Sequence, residues 1–156
     1  MTDFGIARKC SPNNCKDNSG TPGYMAPEVL EKRNHGYAVD YYALGIIMYE
    51  LAVGKRPYSS RARDEILAHL LSSPPTLSPS DLPDPSLFSP DFLSLVNGLM
   101  KIDPTERLGS FGIDEIKNHK FFQGFEWKKV EEKSGRYPPF CPKVLIAVTL
   151  AAQGVL

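Results

Sequence analysis

Four carboxylates and one guanidinium are the groups in this chain best placed to do chemistry. Asp3 stands directly before Phe4-Gly5, Glu28 closes the stretch GTPGYMAPE, Asp40 and Glu50 interrupt the apolar YAVDYYALGIIMYELAVG, and Arg107 lies in DPTERLG. Taken singly, each has an ordinary reading. Asp3 would be an Asp before a turn, Gly20 to Glu28 a turn built on Thr-Pro-Gly, and Arg107 a solvated surface Arg. A lone carboxylate at the start of an apolar helix, as at Asp40, demands hydrogen-bond donors or serves as an N-cap. Glu50 in MYELA is either paired within the core or aimed into a groove. What raises these residues above their separate readings is order and spacing: Asp-Phe-Gly, then a polar loop, then Ala-Pro-Glu.

The elements that must position them follow from periodicity. Arg8 to Gly23 is polar with no period of 2 or 3.6 and reads as an exposed loop. YMAPEVLEK begins a short helix with Pro27 in a tolerated first-turn position. Tyr37 to Gly54 is helical in length and apolar on nearly every face, with Gly54 as a stop, so it is expected at the centre of the core. Ser59 to Ser73 carries an apolar stripe at Ile66, Leu67, Leu70 and Leu71, an amphipathic surface helix. Residues 74 to 90, rich in Pro and Ser, read as a long surface connection. SPDFLSLVNGLMK, with Ser89 as cap and Pro90 in the first turn, is a helix, and IDEIKNHKFF is a last short one. No strand of any weight appears.

Composition excludes several classes. With 156 residues, 42% of them hydrophobic, the chain can bury one sizeable core. Eighteen Lys and Arg balance eighteen Asp and Glu, so no basic field points to nucleic acid. Three cysteines, with Cys10 and Cys15 in a polar loop, support neither a disulfide framework nor a zinc site, and fit a reducing intracellular (cytoplasmic) compartment. No signal-peptide pattern opens the chain, and the one long apolar run, Val144 to Leu156, is shorter than the ~20 residues a membrane helix needs. No membrane partner is expected.

Together, the Asp-Phe-Gly, GTPGYMAPE, the central YAVDYYALGIIMYELAVGKRPY and DPTERLG resemble the second half of a eukaryotic protein kinase domain. The resemblance covers residues 2 to about 122. FFQGFEWKKVEEKSGRYPPFCPKV is similar to the segment that follows the kinase domain in the AGC group of Ser/Thr kinases, the cyclic-nucleotide-dependent kinases and their relatives. The fold so implied is mainly α, a partial helical C-lobe lacking the β-rich N-lobe. Three segments are implied: a partial kinase domain at 1–122, an AGC-like extension at 123–144, and an apolar tail of unknown role at 145–156.

The resemblance also implies roles. Asp3 would bridge Mg²⁺, a hard dication that takes carboxylate oxygen, against the phosphates of ATP, with Phe4 packing inward to set its direction and Gly5 permitting the turn. Gly20, Thr21, Pro22, Gly23 and Tyr24 would form the platform for the substrate backbone, and Thr21 would orient the catalytic base, which favours Ser or Thr of a protein substrate as acceptor. Glu28 and Arg107 would pair inside the domain through two parallel charge-assisted bonds. Asp40 would accept backbone N–H bonds from the catalytic loop. Glu50 would receive an Arg of the substrate.

Departures from the family pattern carry expectations of their own. Gly23 stands where several of these kinases have an acidic residue, which argues against a strongly basic consensus. In CKDNSGTP, Asp17 supplies part of a phosphate's charge, and Ser19 is a candidate phosphoacceptor. Tyr41 and Tyr42 replace the usual Trp. No Gly-rich loop, strand Lys, catalytic-loop Asp or second-metal Asn precedes Asp3, so this polypeptide by itself is expected not to transfer phosphate. The apolar run after Val144 replaces the usual acidic and aromatic tail, which suggests a truncated or altered product. Two alternatives stay open: an inactive lobe that binds peptides or partners, and a fragment that does not fold alone.

Overall fold

A computed structural model describes residues 4–7, 9, 19–132 and 134. Among them the structure is helical, with no strand: α1 (Pro27–Leu30), α2 (Ala38–Val53), α3 (Arg63–Ser72), α4 (Pro90–Leu99), α5 (Ile113–Lys117) and α6 (Trp127–Glu131). Four 3-10 turns, Pro22–Tyr24, Pro79–Asp81, Pro85–Leu87 and Lys120–Phe122, join them. The chain divides into two compact units, 1–123 and 124–156. Within the second, α6 has no fully buried residue, and its Trp127 ring stands edge-on to Phe125, centroids 4.7 Å apart. The expected tail at 145–156 lies outside the described residues, as do Asp3, Cys10, Cys15 and Asp17.

The core of the first unit is the packing of α4 against α2. Helix α4 starts where Ser89 and Pro90 predict: the Ser89 hydroxyl accepts the Phe92 N–H at 3.1 Å, satisfying one of the donors a helix start leaves open. Leu95, Val96 and Leu99 then turn inward. Gly45 explains the close approach of α2. A Cβ there would lie 2.8 Å from Met100 Cγ and 2.9 Å from Leu99 Cβ, so only glycine lets the helices meet at this depth. Gly54 ends α2 in the left-handed conformation (φ 82°), its N–H bonded to the Glu50 carbonyl at 2.8 Å.

Two expectations need correction. Helix α2 is not buried all round: Tyr42, Gly45, Ile46, Tyr49 and Ala52 are buried, but Leu44, Ile47 and Leu51 are exposed, Leu51 to 81%. These three recur at helical spacing on one face, and the described residues cover only the opposite one. Nor is 74–90 structureless. Ser78 and Asp81 form a reciprocal capping box, Asp84 caps the next turn, and Leu77 and Leu82 are buried. Asn97 on α4 clamps the segment, accepting the Leu77 N–H (2.7 Å) and donating to its carbonyl (2.9 Å). Side chain to backbone bonds of this kind leave no trace in hydrophobic periodicity.

Candidate functional site

Gly20 to Glu28 forms a short ledge whose front is open and whose back is buried. Gly20 adopts φ +127°, a value side chains avoid, and leads into the extended, exposed Thr21. Pro22 then starts a single 3-10 turn, closed by Tyr24 N–H to the Thr21 carbonyl (3.0 Å) and Met25 N–H to the Pro22 carbonyl (3.2 Å). Thr21 makes no capping bond and is exposed, as is Ser19. From Met25 to Leu30 every residue is buried. A chain that passes from exposed to fully buried within five residues presents its first half and is held by its second.

Holding is done by Glu28 and Arg107, 2% and 1% exposed. Arg107 Nη1 donates to Glu28 Oε1 at 2.7 Å and Nη2 to Oε2 at 3.0 Å, the parallel fork that a guanidinium and a carboxylate permit. The remaining donors serve backbone: Nη1 to the Ala38 carbonyl (2.9 Å), Nε to that of Lys101 (3.0 Å) and Nη2 to that of Ile102 (3.3 Å). The Tyr42 ring lies under the guanidinium, 5.1 Å from centroid to Cζ. Burial pushes the Tyr42 hydroxyl well above the ordinary phenol range, and that hydroxyl has no partner among the described residues. One side chain thus ties the ledge to the start of α2 and to the end of α4.

Arg107 is aimed inward by the turn before it. Asp103 accepts both the Thr105 N–H (2.8 Å) and its hydroxyl (2.7 Å), which hold the Asp103 carboxyl below the usual carboxylate range. Leu108 N–H bonds the Gly98 carbonyl at 2.9 Å, and Gly109, at φ +96°, lies where a Cβ would strike the Tyr41 ring at 2.7 Å. Tyr41 and Tyr42 therefore pack on two sides of the DPTERLG turn.

At the front, Glu50 on α2 is half-buried. Its Oε2 accepts the Tyr24 hydroxyl at 2.6 Å, and this bond is the main reason the Tyr24 phenol is held above its ordinary value. Arg56 Nε stands 4.0 Å from Glu50 Oε1, with its guanidinium over the Tyr24 ring at 5.4 Å. Neither Tyr24 as a donor nor Arg56 as a neighbour is evident from sequence. Their one signal is the Gly54 stop, which reverses the chain so that a charge six residues past Glu50 returns to it.

Other expected residues fall differently. Asp40 is neither an N-cap nor buried: Tyr37 occupies the cap position without a side-chain bond, and Asp40 sits exposed in the first turn, where a negative charge suits the helix dipole. The helix begins at Ala38, so Asp40 is already its third residue and past the cap position. Phe4 does not pack inward but is 66% exposed. Ala7 N–H closes onto the Phe4 carbonyl (3.0 Å), and this turn, with Gly5, is exposed throughout, so no core residue among those described covers the ring.

For Mg²⁺ and ATP, Asp3 is the expected ligand and lies outside the described residues. Among the described residues no group of three or more His, Cys, Asp or Glu could hold a metal, so they build no metal cage of their own. Magnesium is commonly held by one or two carboxylates together with substrate phosphates, so a cage of three protein ligands is not required for it. No helix among them is long and apolar enough to cross a membrane.

A model of the protein kinase domain matches residues 1–122. The chain is 38% identical over 144 residues to a "probable serine/threonine-protein kinase" of Dictyostelium discoideum, a match covering 91% of this chain and 30% of that protein. It is 36% identical over 148 residues to the RAC-beta serine/threonine-protein kinase of Homo sapiens, covering 92% and 29%, and 35% identical to that of Rattus norvegicus, with the same coverage. The chain thus spans about 30% of the length of these curated relatives.

Proposed function

Because the chain belongs to the protein kinase domain family, we propose that it carries the activation segment and helical lobe of an AGC-type Ser/Thr protein kinase. The enzyme so formed transfers the γ-phosphate of Mg-ATP to a Ser or Thr hydroxyl of a protein substrate. Asp3 takes the metal, Gly20 to Tyr24 carry the substrate backbone, and Thr21 orients the base. Residues 123–144 are the extension typical of that group, and Ser19 is a candidate site of regulatory phosphorylation. An intracellular setting fits a sequence whose three cysteines form no disulfide-framework pattern.

The observation that carries this reading is the buried Glu28–Arg107 fork behind the Gly20 to Tyr24 ledge, whose leading residues Gly20 and Thr21 are exposed. Phosphoryl transfer depends chiefly on positioning, and a peptide ledge positions only if it is fixed from behind. The same observation favours the binding alternative, since the whole anchor lies within this chain. The test is transfer from Mg-ATP to matched Ser, Thr and Tyr peptides by the protein purified from its own cells. Transfer to Ser or Thr, lost in Asp3→Asn, is expected where the chain is joined to a Gly-rich loop and a catalytic loop, and none is expected from these 156 residues by themselves. Transfer to Tyr alone sinks the acceptor assignment, and saturable peptide binding with no transfer supports the binding reading instead.

A further inference from the structure

We propose that Arg56 is an internal occupant of the Glu50 subsite, so that the groove takes a neutral substrate residue where Glu50 would otherwise draw an arginine. The inference rests on the reading of the ledge and Glu50 as a substrate surface. Both oxygens of Glu50 already have company: Oε2 holds the Tyr24 hydroxyl at 2.6 Å, and Oε1 faces Arg56 Nε at 4.0 Å. The Arg56 guanidinium also covers the Tyr24 ring at 5.4 Å, so it lies across the ledge.

Gly23 is the ledge residue that lies against the Arg56 guanidinium. It is not among the glycines with positive φ, so its backbone conformation does not call for glycine. Space does. A Cβ on Gly23 would lie 2.1 Å from Arg56 Nη1 and 3.1 Å from its Cζ, inside the guanidinium. The residue without a side chain and the arginine that fills its place form one arrangement. The Gly54 turn at φ 82° delivers Arg56 to it.

The consequence is electrostatic. A peptide arginine approaching Glu50 meets a carboxylate already faced by a guanidinium, and a like charge beside it. The pair remains open to solvent, with side chains 25% and 35% exposed, so removing Arg56 uncovers the carboxylate without opening the core.

The test is a fluorescence-anisotropy titration of the full 156-residue chain with a Ser-containing peptide, its residues replaced one at a time by Arg. For the wild-type chain, Arg at any position changes affinity by less than about twofold. In Arg56→Ala, Arg at one position raises affinity about fivefold, the scale of one partly exposed ion pair. Arg56→Lys gives a smaller gain, Lys55→Ala on the neighbouring exposed cation gives none, and adding Glu50→Gln to Arg56→Ala abolishes it. A wild-type chain that already prefers Arg fivefold overturns the proposal. So does an Arg56→Ala chain that binds peptide without preference, or a gain that survives Glu50→Gln. If no variant binds any peptide, the substrate-surface reading itself fails and takes this proposal with it.

Discussion

The same ledge is flanked by two glutamate–arginine contacts that share residue types and little else. Behind it, Glu28 and Arg107 are both nearly inaccessible, paired twice at 2.7 and 3.0 Å, with three backbone carbonyls taking the remaining donors. In front, Glu50 and Arg56 are partly exposed, separated by 4.0 Å, and share a tyrosine. The first pair is held so completely that it can only be structural. The second is loose enough for another arginine to compete for it. Chemistry of side chains does not distinguish the two; burial and the number of satisfied donors do.

Breaking the rear pair should have the largest effect. Arg107→Ala leaves the Glu28 carboxylate buried without its partner and frees three carbonyls, at a cost of about 3–5 kcal/mol in urea-unfolding free energy. Equal stability of the variant and the wild type would show that the pair is not the anchor. Next comes the seating of α2 on α4, which places the Lys101 and Ile102 carbonyls around Arg107. Gly45→Val drives methyl groups into Met100 and Leu99 and should cost about 1–3 kcal/mol, read as a lowered thermal midpoint. A value near zero would mean that the helices can separate without disturbing the anchor.

The front pair should respond weakly. Glu50→Gln is expected to change unfolding free energy by less than about 1 kcal/mol, with the difference shrinking as salt rises. A loss as large as that of Arg107→Ala would erase the contrast between the two pairs. The smallest effect is a titration. Tyr24 has its pKa raised above 10.0, first by its bond to Glu50, so its contribution is fully present below pH 10 and fades as pH rises through the higher folded value. Glu50→Gln should move the Tyr24 transition, followed by tyrosinate absorbance, back toward the ordinary value. Tyr42, raised chiefly by burial, should not move.

Much of the fold was legible because local rules and tertiary needs agreed. Ser89-Pro90 opens α4, Gly54 closes α2, and Ile66 and Leu70 face inward on α3. Residues 74–90 were opaque because their order comes from Asn97, Ser78 and Asp84, whose bonds follow no period. Leu44, Ile47 and Leu51 misled because an apolar face signals burial only where some element covers it. Of the site, Glu28 and Arg107 stood out in sequence only as members of a pattern, since 79 positions separate them.

The sequence by itself determined the family, from the order Asp-Phe-Gly, Gly-Thr-Pro-Gly, Ala-Pro-Glu and Asp-Pro-Thr-Glu-Arg, and it determined the start of α4 at Ser89-Pro90 and the end of α2 at Gly54, because caps and stops act over a few neighbouring residues. Tertiary structure alone decided which glutamate is sealed and which is available. Solvation and the competition for hydrogen bonds depend on what lies around a carboxylate in space. For Glu50 that surrounding is Tyr24 from the ledge and Arg56 from beyond the helix stop, brought together by the turn at Gly54.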